Sequence, residues 1–113
     1  MSRYVVLYCA PQEVAARFAL ASPAEAQAGV ARWAAWAEKL GPALVDPGHP
    51  LGNPARVTTE GVTASDSTVV GMSILDADTR DQALSFVTDH HHLAWSEECE
   101  IILLEEQVIP ELQ

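Results

Sequence analysis

The segment Asp89-His90-His91-His92-Leu93-Ala94-Trp95 places three of the chain's four histidines side by side. Imidazole binds metal ions and exchanges protons near neutral pH, so this cluster is the first candidate for chemistry. Its spacing argues against one ion held by all three. Consecutive helical residues are rotated by about 100°, so His90, His91 and His92 share a ligand only if the helix has ended. A zinc site would need further ligands from Asp89, His49 or Glu97, and no metal is expected. Histidines in a final helical turn also meet exposed carbonyls favourably when charged, which is the plain structural reading. His90 continues the apolar phase of Ala83, Phe86 and Val87. It is therefore the member expected to be partly buried and to reach a ligand, with His91 and His92 in solvent.

A second candidate is Asp46 with His49 three residues on, in the Pro-Gly-rich run Pro47-Gly48-His49-Pro50-Leu51-Gly52. A carboxylate beside an imidazole can pass a proton, although turns favour both residue types for reasons of their own. Trp33 and Trp36, three apart, point in similar directions and either line a hydrophobic cavity or seal helix to sheet. Trp95 either caps the mouth of a barrel or packs a loop. Tyr8 and Cys9 point to opposite faces of one strand, and whichever faces a cavity contributes to a ligand site. No nucleophile elbow, phosphate-binding glycine loop, dinucleotide fingerprint or zinc-finger spacing is present, so no cofactor is expected.

Residues 3–9, rich in β-branched and aromatic side chains, predict a first strand ending before Pro11. Ser22-Pro23-Ala24-Glu25 has the form of a capping box and opens a helix with Ala26, Val30, Trp33, Ala37 and Leu40 inward, ended by Gly41-Pro42. The stretch from Pro11 to Ala21 reads as a helical turn or a loop. Residues 43–46 form a brief strand, 47–52 a loop, and 55–59 continue or resume the strand. Ser67 to Leu75 reads as a third strand, with Val70, Met72 and Ile74 on one side and Val69, Gly71 and Leu75 on the other. Asp78, with Asp81 three residues later, caps a second helix. Cys99 to Leu104 is a fourth strand.

Strand, helix, strand, strand, helix, strand is the ferredoxin-like βαββαβ order of an α+β fold, with a four-stranded antiparallel sheet. A chain of 113 residues, 49% hydrophobic and 19% charged, suits one domain with a packed core. Two helices cover one face of such a sheet, and the other face is normally polar. Here both faces are apolar, as Tyr4, Val6 and Tyr8 against Val5, Leu7 and Cys9 show, and Ile101 and Leu103 against Ile102 and Leu104. The uncovered face requires a partner. A second copy about a two-fold axis gives a homodimeric α/β barrel with a lumen between the sheets. Strand four beside strand one also makes Cys9 and Cys99 neighbours, reduced in a cytosolic setting.

The formal charge of −10 argues against nucleic acid as a partner. No stretch reaches the length of a membrane helix, and the first apolar run is too short for a signal peptide, so no membrane is expected and the cytoplasm is.

The opening Tyr4-Val5-Val6-Leu7-Tyr8, the helix with Trp33-Ala34-Ala35-Trp36, the run Gly41-Pro42-Ala43-Leu44-Val45-Asp46-Pro47-Gly48 and the later Gly71-Met72-Ser73-Ile74 resemble the YCII-related proteins over nearly the whole chain. The resemblance implies a single YCII-related domain over residues 1–113 and a dimeric α/β barrel. That family is mostly of unassigned function, with a dehydrochlorinase of a chlorinated hydroxyquinol among its enzymes. Its suggested His-Asp pair has no counterpart here, because no histidine lies between Ser22 and Leu40. The Asp-Gly-Pro-Phe tetrapeptide of a related branch is absent too, since residues 64–69 read Ala-Ser-Asp-Ser-Thr-Val. The histidine triplet falls where related chains carry Gly-His-Pro after the second helix. The expected function is binding of a small, partly apolar molecule in a cavity of the homodimer. If there is a reaction, it is cofactor-independent acid–base chemistry of lyase or isomerase type, carried by His90 or by Asp46 and His49, with Tyr8, Trp33, Trp36 and Trp95 at the ligand. A non-catalytic protein interaction module is the alternative.

Overall fold

The computed structural model describes residues 1–110, with the backbone alone for Phe18 and Ala19. In chain order the elements are β1 (Ser2–Cys9), α1 (Gln12–Ala19), α2 (Pro23–Leu40), β2 (Leu44–Pro50), β3 (Ala55–Thr58), β4 (Gly61–Ala64), β5 (Val69–Ala77), α3 (Arg80–Val87) and β6 (Glu100–Glu105). Four strands make one antiparallel sheet in the order β2-β5-β1-β6. With α2 and α3 as crossovers, this is the ferredoxin-like arrangement. The helix α1 and a separate β3–β4 hairpin are additions to it.

Alternation along the strands sorts the side chains into two layers. Tyr4, Val6, Tyr8, Leu75 and Ala77 face the helices and pack with Trp36, Leu40, Ala83 and Val87 into the main core. Ile101, Leu103 and Leu44 close its edges. The opposite face carries Val5 and Leu7, which pair with Ile74 and Met72 on one side and with Leu104 and Ile102 on the other. Among the described residues no helix covers these aliphatic side chains, and Ile102 and Leu104 are 42% and 50% exposed. The subunit is a thin plate of 45 × 44 × 21 Å. Its radius of gyration is 15.7 Å, where a closed domain of this length has about 13 Å.

Several elements differ from the sequence reading. Residues 47–50 are the second half of β2 rather than loop. An edge strand tolerates Pro47 and Pro50, which have no N–H to give, and bulges absorb the mismatch. At Gly48, φ is +91° and an added Cβ would run into the Met72 carbonyl, so only glycine fits there. Residues 55–64 are a hairpin paired with itself, not an extension of β2. The region left open between Pro11 and Ala21 contains α1.

The cap of α3 is Thr79, not Asp78. The Thr79 hydroxyl accepts the Gln82 N–H at 3.0 Å and the Gln82 side chain accepts the Asp78 N–H at 2.6 Å, two bonds that Asp78 as cap would not have had. The capping box of Ser22 and Glu25 forms as expected. Val30, expected inward, is 68% exposed, because α2 meets the sheet only from Trp33 onward. Among the described residues no helix is long and apolar enough to cross a membrane.

Candidate functional site

The helix that was expected to carry the histidines stops at Val87. Thr88 donates its hydroxyl to the Leu84 carbonyl at 2.7 Å. The chain then becomes extended at His90 and enters a 3₁₀ turn, His91–Ala94. In that tighter turn successive side chains still diverge, by about 120°. His92 reaches β1, where its Nε2 donates to the Cys9 carbonyl at 2.9 Å. His90 points between α2 and the sheet. Its ring centroid lies 5.0 Å from Tyr8, 4.9 Å from Trp33 and 4.5 Å from Trp36. His91 stacks on His90 at 4.1 Å and meets Trp33 edge-on at 4.7 Å.

His90, expected to be partly buried, is 2% exposed, and His91 and His92, expected in solvent, are not there. His92 is buried and His91 half-buried, because the triplet lies beyond the helix and folds under α2. Among the described residues no group of three or more His, Cys, Asp or Glu side chains is gathered that could hold a metal ion.

The protons in this cluster can be placed. His90 Nδ1 accepts the His92 backbone N–H at 3.0 Å. Burial first, then the neighbouring His91 and His92, push the His90 pKa from its usual 6.5 down to about 3. The ring is therefore neutral at physiological pH and carries its hydrogen on Nε2, a buried atom with no hydrogen-bond partner. His91 Nε2 is buried and unpartnered as well, and burial and Arg32 lower its pKa.

Tyr8 forms the floor. Its ring sits opposite Gly71, where an added Cβ would press on Tyr8 at 3.4 Å and on the His49 carbonyl at 3.3 Å. Ser73 Oγ donates to the Pro47 carbonyl at 2.7 Å, which uses its hydrogen. The phenol, 2.9 Å from the same Oγ, must then be the donor to it. The Tyr8 oxygen is left as an acceptor only. Burial raises its pKa to about 12 against the opposing Ser73 bond, so it stays protonated. Trp36 Nε1 donates to the Phe86 carbonyl at 2.8 Å and ties α2 to α3 over the cluster. Trp33 meets Tyr8 at 5.0 Å and Trp36 at 5.7 Å, both edge-on, and is only half-buried.

The fold therefore brings Tyr8, Trp33, Trp36 and His90 together on the helix-covered face. A lumen between two sheets would not be lined by any of them, which corrects the expected place of the site. Asp46 and His49 are elsewhere, on edge strand β2. The Asp46 carboxylate accepts the Gly48 N–H at 2.7 Å, His49 is exposed opposite Met72, and no hydrogen bond or ion pair joins the two among the described residues. Trp95 packs on a smaller cluster of Ala10, Val14 and Cys99 and walls a surface cleft of about 390 Å³ with Arg17, Leu20, Ala21 and Glu25. Cys9 and Cys99 are buried free thiols at one end of adjacent strands, Cys9 pairing with Glu100. Burial pushes both thiols up.

Sequence reasoning missed Ser73, which fixes the Tyr8 hydroxyl, and the inward turn of His91 and His92. A signal for the first existed: a lone hydroxyl in phase with Gly71 and Leu75 on a buried strand face needs a polar partner.

No family model matches the chain, and no curated protein matches it. Among solved structures it is similar to 5-chloro-2-hydroxyhydroquinone dehydrochlorinase from Burkholderia phenoliruptrix AC1100, in complex with 2,5-dihydroxybenzoquinone. The TM-score is 0.55 and the identity 16%, over 98% of this chain and 98% of that one. The likeness extends from end to end and shows the fold.

Proposed function

We infer that this chain, a YCII-related protein in a homodimeric α/β barrel, binds a small, partly apolar molecule at the cluster of Tyr8, Trp33, His90 and His91. The observation that supports this reading is the pair of buried imidazole Nε2 atoms without partners. Leaving such an atom unsatisfied costs about 1–3 kcal/mol, and a core selected for stability alone has no reason to keep two. The half-buried Trp33 is the wall that yields to a ligand.

The polarity of the cluster narrows the ligand. His90 Nε2–H offers a hydrogen and the Tyr8 oxygen accepts one, so a planar molecule with a carbonyl and a hydroxyl on its rim is complementary to both. A hydroxyquinone has this pattern, and the similar dehydrochlorinase is complexed with one. In a reaction of lyase or isomerase type, a neutral His90 would hold the substrate carbonyl as enolate charge develops there, and His91 would take the proton. Asp46 and His49 take no part in this reading.

The second reading, a non-catalytic assembly module, is favoured by the aliphatic sheet face that stays uncovered. Titration calorimetry with 2,5-dihydroxybenzoquinone separates the two. Binding by the natural chain that is lost in His90→Phe supports the ligand site. Absence of binding, or equal binding by His90→Phe, removes it.

A further inference from the structure

The β3–β4 hairpin is unusual in having an inside and no interior. All eight of its strand residues are exposed. Its register pairs Ala55 with Ala64 and Val57 with Val62, and between them Arg56 with Thr63 and Thr58 with Gly61. One face is thus wholly Ala and Val, and the other is Arg, Thr and Gly61. Such alternation marks a ribbon with one face meant to be covered. Nevertheless Val57 and Val62 are 75% and 71% exposed. An isolated two-stranded hairpin is marginal in water, so this one needs a surface that its own subunit does not supply.

We propose that the β3–β4 hairpin is an arm that grips a second copy of this chain, closing a dimer that the sheet faces alone leave short. The inference rests on the dimer of the preceding section. Four strands give a face about 19 Å wide and, at six to eight residues per strand, roughly 20–25 Å long. Two such faces remove roughly 800–1,000 Å² from solvent, below the roughly 1,200–2,000 Å² of a stable association. The arm can make up the difference, because it extends from the edge of that sheet and brings an apolar face of its own. It leaves the sheet at one corner, where Pro50 pairs with Gly71 and the Leu51 N–H bonds the Val70 carbonyl at 2.9 Å. A two-fold axis that sets the faces together carries both arms onto the opposite subunit, so two apolar ribbons are buried per dimer.

The test is sedimentation of the natural chain, of Val57→Thr/Val62→Thr, and of a variant in which residues 53–66 are replaced by two glycines. Circular dichroism serves as the fold control. Threonine keeps the strand preference and removes apolar surface, so the hairpin itself survives. The dimer dissociation constant should rise at least about 100-fold in the threonine variant, at roughly three- to fourfold for each of the four valines that a two-fold dimer buries. Hydrogen exchange of the natural chain supplies a readout independent of the variants: the arm amides are slow in the dimer and become fast on dilution to monomer. A dimer whose constant the substitutions leave unchanged, or whose arm amides exchange fast throughout, overturns the arm and leaves the dimer standing. A natural chain that stays monomeric overturns the dimer and the arm together.

Discussion

Acid is the perturbation that isolates His90. Packed against Tyr8, Trp33 and Trp36, its imidazole takes a proton near pH 3, whereas in the unfolded chain it does so near 6.5. The folded pKa is the lower one, so the unfolded state binds the extra proton between these values. The stabilisation is complete above about pH 6.5 and is lost at about 1.4 kcal/mol for each unit below it. Acidification to about pH 4.5 therefore costs about 3 kcal/mol through this one ring, a large part of the stability of a small domain. His91 is shifted in the same direction and adds to the slope. Asp89 on the same segment opposes the shift only weakly.

The assay is urea unfolding between about pH 7 and pH 4.5, at fixed protein concentration, followed by tryptophan fluorescence. His90→Phe keeps a ring of similar size; it leaves the His92 N–H without its acceptor but removes the unpartnered Nε2–H, two effects of about 1–3 kcal/mol and opposite sign, so the two proteins should be similar in stability at neutral pH. In acid the variant no longer carries the proton penalty, so it should become the more stable one, by about 3 kcal/mol near pH 4.5. Equal acid slopes in the two proteins would refute the assignment of His90 as the buried neutral group.

Ser73→Ala should lower stability by about 2 kcal/mol, a melting point lower by about 8 °C or more in calorimetry, because both the Tyr8 hydroxyl and the Pro47 carbonyl lose their partner. Gly48→Ala, with its Cβ directed into the Met72 carbonyl, should cost about 3 kcal/mol or more. Gly29→Ala, where a Cβ meets nothing in α2, should stabilise by about 0.5–1 kcal/mol, and denaturant midpoints compare the two. Ile102→Glu with Leu104→Glu on the uncovered face should leave circular dichroism unchanged and convert the proposed dimer to monomer in sedimentation. A persistent dimer would exclude that face from the interface.

The sheet was legible because β1, β5 and β6 are short runs of β-branched and aromatic residues, and α2 because Ser22-Pro23-Ala24-Glu25 announces its start and Gly41-Pro42 its end. The hairpin was hidden by length: four residues per strand, with Val57 and Val62 as the only large apolar side chains, give too short an alternation to separate from loop. The triplet was misplaced because His90 happens to continue the spacing of Ala83, Phe86 and Val87, although the helix had already ended. Periodicity carries no record of that ending, which depends on the backbone turning at His90. Tyr8, Trp33, Trp36 and His90 were nominated for their chemistry, but their meeting on the covered face follows from register, which no single strand specifies. For the same reason Asp46 and His49, three apart in sequence, are turned to different tasks by the bulges of β2.

The first ten residues of α2, Pro23–Arg32, lie against almost nothing, while Trp33, Trp36 and Leu40 hold the rest to the sheet. The helix therefore behaves as a cantilever, pinned at one end and kept wound at the other by the Ser22–Glu25 box, worth about 1 kcal/mol. Amide exchange should grade along it, fast near Ala26 and slow near Ala37. Trp33, which covers His90 and His91, is the first residue of the held span, so the wall of the imidazole cluster is the anchor next to the part of the helix that opens most readily.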